Sequence, residues 1–177
     1  MKKYFVFYVF LSSIVYAAPP LDPTPYSSRY EYKLGVHVNG GGSTGIIGMS
    51  ADWSAFEKYA FLLKAGTGVY FSSAAFEIRR FLFETSLAPY FSLGVTRWEQ
   101  TGAPEKLKNM FPQSVDLGLV NSDGTQKNAY IYLSTASLGL HYLSDYGFSA
   151  AVELTGLFSY ATTTFKPWAG LSLGWYF

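Results

Sequence analysis

From Tyr30 onward, apolar and polar residues change places at every second position. Tyr30, Tyr32, Leu34, Val36 and Val38 share one parity, opposite Glu31, Lys33, Gly35, His37 and Asn39. That is the two-residue period of a strand with one apolar face. Gly40-Gly41-Gly42-Ser43 reads as a turn, after which Ile47, Met49, Ala51 and Trp53 oppose Gly48, Ser50 and Asp52. A third run sets Tyr59, Phe61, Leu63, Ala65 and Val69 against Lys58, Lys64, Gly66 and Gly68. In the fourth, about Ala74 to Glu84, Phe76 and Ile78 oppose Glu77 and Arg79, but Arg80 then interrupts the alternation. A bulge at Arg79-Arg80 would turn both arginines to one side and return Phe81 and Phe83 to the apolar face. The fifth, about Thr85 to Glu99, sets Leu87, Phe91, Leu93 and Val95 against Ser92, Gly94 and Thr96.

Gln100 to Lys127 breaks the pattern. It is polar, carries Pro104, Pro112 and Gly124, and at about 28 residues is longer than compact domains usually allow without a functional reason. A short helical turn is expected over Pro104 to Met110. Alternation resumes with Tyr130, Tyr132, Ala136, Leu138, Leu140 and Tyr142 against Thr135, Ser137, Gly139 and His141. Beyond the turn Ser144-Asp145-Tyr146-Gly147, Phe148, Ala150, Val152, Leu154 and Phe158 oppose Ser149, Ala151, Glu153, Thr155 and Ser159. The last run places Ala169, Leu171, Leu173, Trp175 and Phe177 opposite Trp168, Gly170, Ser172, Gly174 and Tyr176.

Eight such runs of roughly 10–13 residues match the ~9–11 that a tilted strand needs to cross a bilayer. The distribution of charge agrees. Glu31, Lys33, Asp52, Lys58, Lys64, Glu77, Arg79 and Glu153 fall on the weakly apolar parity, whereas the apolar parity carries only Arg80, absent a bulge, and Arg97. A soluble barrel would reverse this arrangement. The expectation is an all-β, eight-stranded antiparallel up-and-down transmembrane β-barrel over residues 30–177, with 100–127 as one long extracellular loop. A barrel of this size has room inside for side chains only, so inward charges must pair. Glu31, Lys33, Lys64, Glu77, Arg79 and Glu153 are the expected lumenal ion-pair network. Tyr32, Trp53, Tyr59 and Trp175 fall near predicted inner strand ends, and Trp98, Tyr130 and Tyr160 near outer ends; with Phe177 they are candidate membrane-interface aromatics.

The N-terminus bears on location. Met1-Lys2-Lys3, an apolar run to Val15 and small residues at Ala17 and Ala18 form a secretory signal peptide, with cleavage expected after Ala17. Residues 18–29 hold Pro19, Pro20, Pro23 and Pro25 and read as an extended periplasmic leader. Without Lys2 and Lys3, the 13 basic residues of the chain become 11 against 12 acidic, which leaves no basic excess for nucleic acid. Charged residues make up 14% of the chain, against ~25% in ordinary soluble domains. Cysteine is absent, so thiol chemistry is excluded. No metal-ligand spacing and no phosphate-binding loop is present, and no cofactor is expected.

The C-terminal alternation ending on Phe177 resembles the assembly signal of bacterial outer-membrane barrels. The chain from Tyr30 onward resembles the small outer-membrane class typified by the outer membrane protein A membrane domain and by outer membrane protein X. The resemblance implies residence in the cell outer membrane, contact with its lipid and lipopolysaccharide, and recognition of the last strand by the assembly machinery. It implies a structural or surface-interaction role, with any extracellular ligand met at 100–127. Barrels of this size also include lipid A deacylases and palmitoyltransferases, so an acyl hydrolase or transferase is the alternative. The deacylases carry His-x-Ser on a late strand; here His141 is followed by Tyr142-Leu143-Ser144. On that reading Ser137, His141 and Glu153, all of one parity on consecutive strands, are the candidate nucleophile, base and carboxylate.

Overall fold

A computed structural model describes residues 31–177 except Glu57. Residues 1–17, expected as a signal peptide, and 18–29, expected as a leader, lie outside the described residues. Eight strands, β1 (Leu34–Gly41), β2 (Ile47–Phe56), β3 (Tyr59–Gly68), β4 (Phe71–Phe81), β5 (Leu87–Gln100), β6 (Tyr130–Leu143), β7 (Phe148–Ser159) and β8 (Thr164–Tyr176), follow one another around a closed antiparallel barrel. Each pairs with its sequence neighbours, and β8 closes on β1 from Gly35 opposite Tyr176 to Gly41 opposite Gly170. Closure continues past the strand ends. Phe177 donates its amide to the Leu34 carbonyl at 2.7 Å, and its own carbonyl accepts from Lys33 and Leu34.

Alternation sends every second side chain inward. On β4 it runs unbroken, with Phe71, Ser73, Ala75, Glu77, Arg79 and Phe81 buried. The pairing of β4 with β3 and β5 has no register shift. The bulge expected at Arg79-Arg80 is therefore not there. Arg80 faces outward, its guanidinium 5.6 Å from the Tyr59 ring centroid and 6.0 Å from that of Phe91. Phe81 is needed inside, where its ring lies 6.2 Å from Tyr90 and 5.4 Å from His141. The irregularity that does occur lies between Trp53 and Phe56, where β2 shifts against β3.

At the end where β1 begins and β8 finishes, called the lower end here, the connections β2–β3, β4–β5 and β6–β7 are short. The upper end differs. Two helices, α1 (Pro104–Met110) and α2 (Gln113–Leu117), lie within residues 101–129. They form a cap rather than a free polar loop. Leu107, Phe111, Leu117, Leu119 and Val120 are buried there against Phe71, Trp98, Ile131, Leu133 and Leu157 of the upper barrel wall. Phe71 stacks on Trp98 at 4.5 Å, and Phe111 meets Trp168 edge-on at 5.3 Å. Polar ties hold the cap down: Lys166 Nζ lies 2.6 Å from Asp116 Oδ2, and Ser159 Oγ donates to the Leu117 carbonyl at 2.8 Å. At the exposed tip, the hydroxyl and amide of Thr125 donate to Asp123 and hold its carboxyl below the ordinary carboxylate range.

The β1–β2 connection turns into the barrel instead of out of it. Gly42–Thr44 forms one 3-10 turn whose residues are all buried. Positive φ at Gly41 (76°), Gly42 (64°) and Gly45 (92°) makes the reversal possible, a backbone that side-chain-bearing residues rarely adopt. Room for it comes from the wall, since a Cβ on either Gly48 or Gly66 would lie 2.8 Å from Thr44 Cβ.

Candidate functional site

The barrel interior is one connected set of charged and polar groups. Lys64, reaching in from β3, places Nζ 2.9 Å from Glu77 Oε2 and 3.6 Å from Glu153 Oε1. Glu77, fully buried on β4, also accepts from the hydroxyls of Ser43 in the inward turn and Ser92 on β5. Tyr90 donates its hydroxyl to Glu153 Oε2 at 2.8 Å. The Tyr90 ring in turn carries the Arg79 guanidinium 4.3 Å from its centroid. Arg79 Nη1 reaches Asp52 Oδ2 at 3.4 Å, and Tyr176 donates its hydroxyl to the same oxygen at 3.0 Å. From Asp52 the line continues to His37, with Nδ1 3.4 Å from Oδ1. It ends at Ser149, whose Oγ is 2.7 Å from His37 Nε2.

Glycines paired with them on adjacent strands make space for these side chains. A Cβ on Gly94 would meet Glu77 Cγ at 2.6 Å, one on Gly139 would meet Tyr90 Cζ at 2.6 Å, and one on Gly170 would meet Glu153 Cγ at 2.8 Å. The inward turn completes the filling. The Ser43 carbonyl accepts from Trp98 Nε1 and Thr96 Oγ1, each at 3.1 Å, and the Thr44 carbonyl accepts from Ser73 Oγ at 2.6 Å. The recess left between Asn39, Thr44, Lys64, Arg79, Glu153 and Ser172 measures about 10 Å³, about the space of one water.

Lys64, Glu77, Arg79 and Glu153 thus meet in the lumen, and Asp52 and His37 join them. Glu31 and Lys33 do not. The first strand begins at Leu34, and both residues precede it and are exposed. Among the aromatics, Trp53, Tyr59, Tyr130, Tyr160, Trp175 and Phe177 are exposed on the outside, while Tyr32 donates its hydroxyl to the Asp145 carbonyl in the β6–β7 turn. Trp98 is corrected: it is wholly buried, on the same parity as Thr96, with its indole N–H bonded to Ser43.

Ser137, His141 and Glu153 are not assembled as a triad. The Ser137 hydroxyl is shared with Thr155 at 2.9 Å, and Glu153 is held by Lys64 and Tyr90. His141 stands opposite Ala151 and packs among the rings of Phe81, Tyr176 and His37. The Ser-His-Asp order occurs elsewhere, in Ser149–His37–Asp52, drawn from β7, β1 and β2. Those residues are too far apart in the chain for spacing to reveal, and only strand register brings them together. Ser149 has no exposed surface, and the Tyr176 ring lies 5.1 Å from that of His37. As placed, this hydroxyl cannot meet an acyl group. Among the described residues, no group of three or more His, Asp or Glu is arranged to hold a metal ion. Comparison with protein-family models, with curated proteins and with solved structures returns no match.

Proposed function

We propose that the chain is an integral outer-membrane β-barrel with a side-chain-filled lumen, whose role is structural or surface-interacting and is presented by residues 100–127. The observation that carries this reading is the inversion of the usual arrangement of a soluble barrel. The outward faces display residues such as Leu63, Leu138, Leu154 and Leu171, each more than half exposed. Outward charges on the described strands are limited to Arg80, Arg97 and Glu99, all near strand ends. A lysine or arginine on the lipid side costs about 2–4 kcal/mol at mid-depth but only about 0–1 near an interface. Such a surface is expensive in water and inexpensive in lipid.

The folded cap refines the role of 100–127. Its buried residues seal the upper mouth, so contact with a partner falls to exposed positions such as Glu105, Lys106, Met110, Gln113 and Ser122 to Asp123. Envelope fractionation with flotation, followed by gel mobility before and after boiling, tests the reading. A membrane-floating, heat-modifiable protein that surface protease cuts only within 101–129 is expected. Extraction without detergent would refute it.

Acyl hydrolysis in the same membrane is the second reading, and the Ser149–His37–Asp52 line is the observation in its favour. It requires the lower end to open enough to expose Ser149. Mass spectra of the envelope glycerophospholipids and lipid A from cells carrying wild type or Ser149→Ala test it: acyl content that differs between them in either lipid supports hydrolysis, and identical spectra for both remove it.

A further inference from the structure

β8 reaches higher than the strand it closes against. β1 pairs with it only from Gly35 opposite Tyr176 to Gly41 opposite Gly170, whereas β8 begins at Thr164 and is matched by β7 along its whole upper part. β2 does not make up the difference, because it starts at Ile47, opposite Gly40. The chain that would have carried β1 upward bends into the lumen instead, as the buried turn Gly42–Thr44. Thr164 to Ala169 is therefore a strand edge with a neighbour on one side only.

Which groups face the unpaired side follows from the ladder below it. Phe177 donates its amide to Leu34, just as β1 begins, and a Cβ on Gly41 would collide with the Ala169 carbonyl oxygen. Backbone groups of successive residues in an antiparallel strand turn to opposite neighbours, so Phe165, Pro167 and Ala169 face the side that β1 leaves. Among the described residues, no bond outside the ladders uses the Phe165 or Ala169 amide. Pro167 has no N–H, and proline within a sheet is confined to places where a donor has no ladder partner. Its position in β8 marks the same side as an edge, independently of the pairing. Two donors and three acceptors remain, spread over about 13 Å at ordinary strand rise.

The edge is held from within and apolar outside. Lys166 and Trp168, on the inner face, are tied to the cap through Asp116 and Phe111. Phe165, Pro167 and Ala169 are exposed on the outer face, and Ile46 and Ile47 are exposed at the tip of the shortened hairpin. Taking the capped end as the outer one, which rests on the outer-membrane reading, we infer that this edge docks an extended segment of another polypeptide, added to the sheet as a strand in the place β1 leaves. Backbone pairing supplies the attraction, and apolar residues at alternate positions match the outer face. An acyl chain has no donors or acceptors at strand spacing, and backbone groups left unpaired at membrane depth are costly. A second copy standing the same way up would bring its own β8 alongside in parallel and at equal height, so that amide would face amide. The surface is separate from residues 100–127 and from the closing half of β8, which β1 already occupies.

Residue-resolved amide exchange by NMR, on the full-length protein in mild detergent, tests the site. The probe is a blocked peptide of alternating valine and threonine with lysines at both ends. Its control is the same peptide methylated on every backbone nitrogen. In the free protein the Phe165 and Ala169 amides should exchange faster than those of Lys166 and Trp168, which face β7. Near-saturating peptide should slow both by about tenfold or more, and the methylated peptide should leave them unchanged. Phe165→Pro with Ala169→Pro removes both donors and spares the β7 ladder. It should raise the peptide concentration needed to shift the Ile46 amide resonance by about tenfold or more, as for loss of two backbone hydrogen bonds. Unchanged exchange along β7 shows that this variant has folded, and the methylated peptide decides the matter on wild type if it has not. Slow exchange of both amides in the free protein, no slowing by the peptide, equal slowing by its methylated form, or wild-type affinity of the double variant overturns the site. Slowing that grows with protein concentration alone overturns it in favour of a second copy. None of these readouts depends on flotation, so the edge and the outer-membrane reading fail separately.

Discussion

Replacing Lys64 by Met removes one of the two buried lysine or arginine side chains among the described residues and leaves the side-chain volume nearly unchanged. The lumen then holds Asp52, Glu77 and Glu153 with Arg79 alone, and Arg79 is already engaged by Asp52 at 3.4 Å. Glu77 is wholly buried and Glu153 nearly so, with side-chain exposures of 0% and 11%. Breaking a buried pair from one side costs about 3–5 kcal/mol. Glu77→Gln should be milder. Lys64 keeps Glu153 at 3.6 Å, and with the amide oxygen in place of Oε2 Ser92 can still donate to it, while the amide nitrogen in place of Oε1 can donate to the Ser43 hydroxyl. The expected cost is about 1.5–3 kcal/mol, that of hydrogen bonds to a charged group. Combining the two should recover stability relative to Lys64→Met alone, because the second change removes one of the stranded carboxylates. Urea unfolding of the barrel in lipid vesicles, followed by unheated gel mobility and tryptophan fluorescence, gives the midpoints, which can be compared where the m-value is unchanged. The reasoning fails if Lys64→Met lies within about 0.5 kcal/mol of wild type, the range of an uninvolved surface change. It also fails if Glu77→Gln deepens the loss caused by Lys64→Met.

Tyr90→Phe deletes the hydroxyl that donates to Glu153 at 2.8 Å and should lower stability by about 1.5–3 kcal/mol in the same unfolding assay. Gly139→Ala puts a Cβ 2.6 Å from Tyr90 Cζ. The Val152 carbonyl oxygen lies nearer still, at 2.5 Å, so ring and backbone must both shift; a loss of about 1–3 kcal/mol is expected, only partly relieved in the Tyr90→Ala background. Phe111→Ala empties the ring site between Phe71, Trp98 and Trp168. It should loosen the cap by about 3–5 kcal/mol, seen as faster proteolysis within 101–129 while the barrel keeps its unheated mobility.

Strand number, closure and most of the facing were legible in the alternation, because a single buried face constrains register strongly. Where the expectation departed, a local preference had displaced the period. Trp98 shares the parity of Thr96 and belonged inside on alternation alone; the affinity of indole for membrane interfaces argued the other way. At Arg79-Arg80, a bulge was expected because Phe81 was assigned to the outside. An eight-stranded lumen closes its lower end with aromatic rings, and Phe81 is one of them. Pro104 to Met110 is helical, as the helical turn expected there anticipated, but the packing of Leu107 and Phe111 against the wall depends on residues of β4, β5 and β6 far away in sequence. The inward direction of Gly41 to Gly45 had no local signal. The same residues would serve an outward turn, and the room left by Gly48 and Gly66 on the adjoining wall decides the matter. His37, Asp52 and Ser149 become neighbours through register and not through spacing.

The inward turn also constrains the order in which the molecule can be built. Ser43 and its neighbours belong to the first hairpin, yet Ser43 bonds Glu77 on β4 and Trp98 on β5, and Gly42 sits so close to Glu153 on β7 and Gly170 on β8 that a Cβ there would have no room. The turn enters the lumen from the upper mouth, which residues 101–129 cover. Its tip must therefore bend inward before the cap docks, and its contacts with β7 and β8 form as the seam between β8 and β1 closes. Joining the two ends of the sheet is the most non-local pairing in the chain, the kind that slows assembly. A defect at Gly41 or Gly42 would therefore register first as slow closure, before any loss of equilibrium stability is measured.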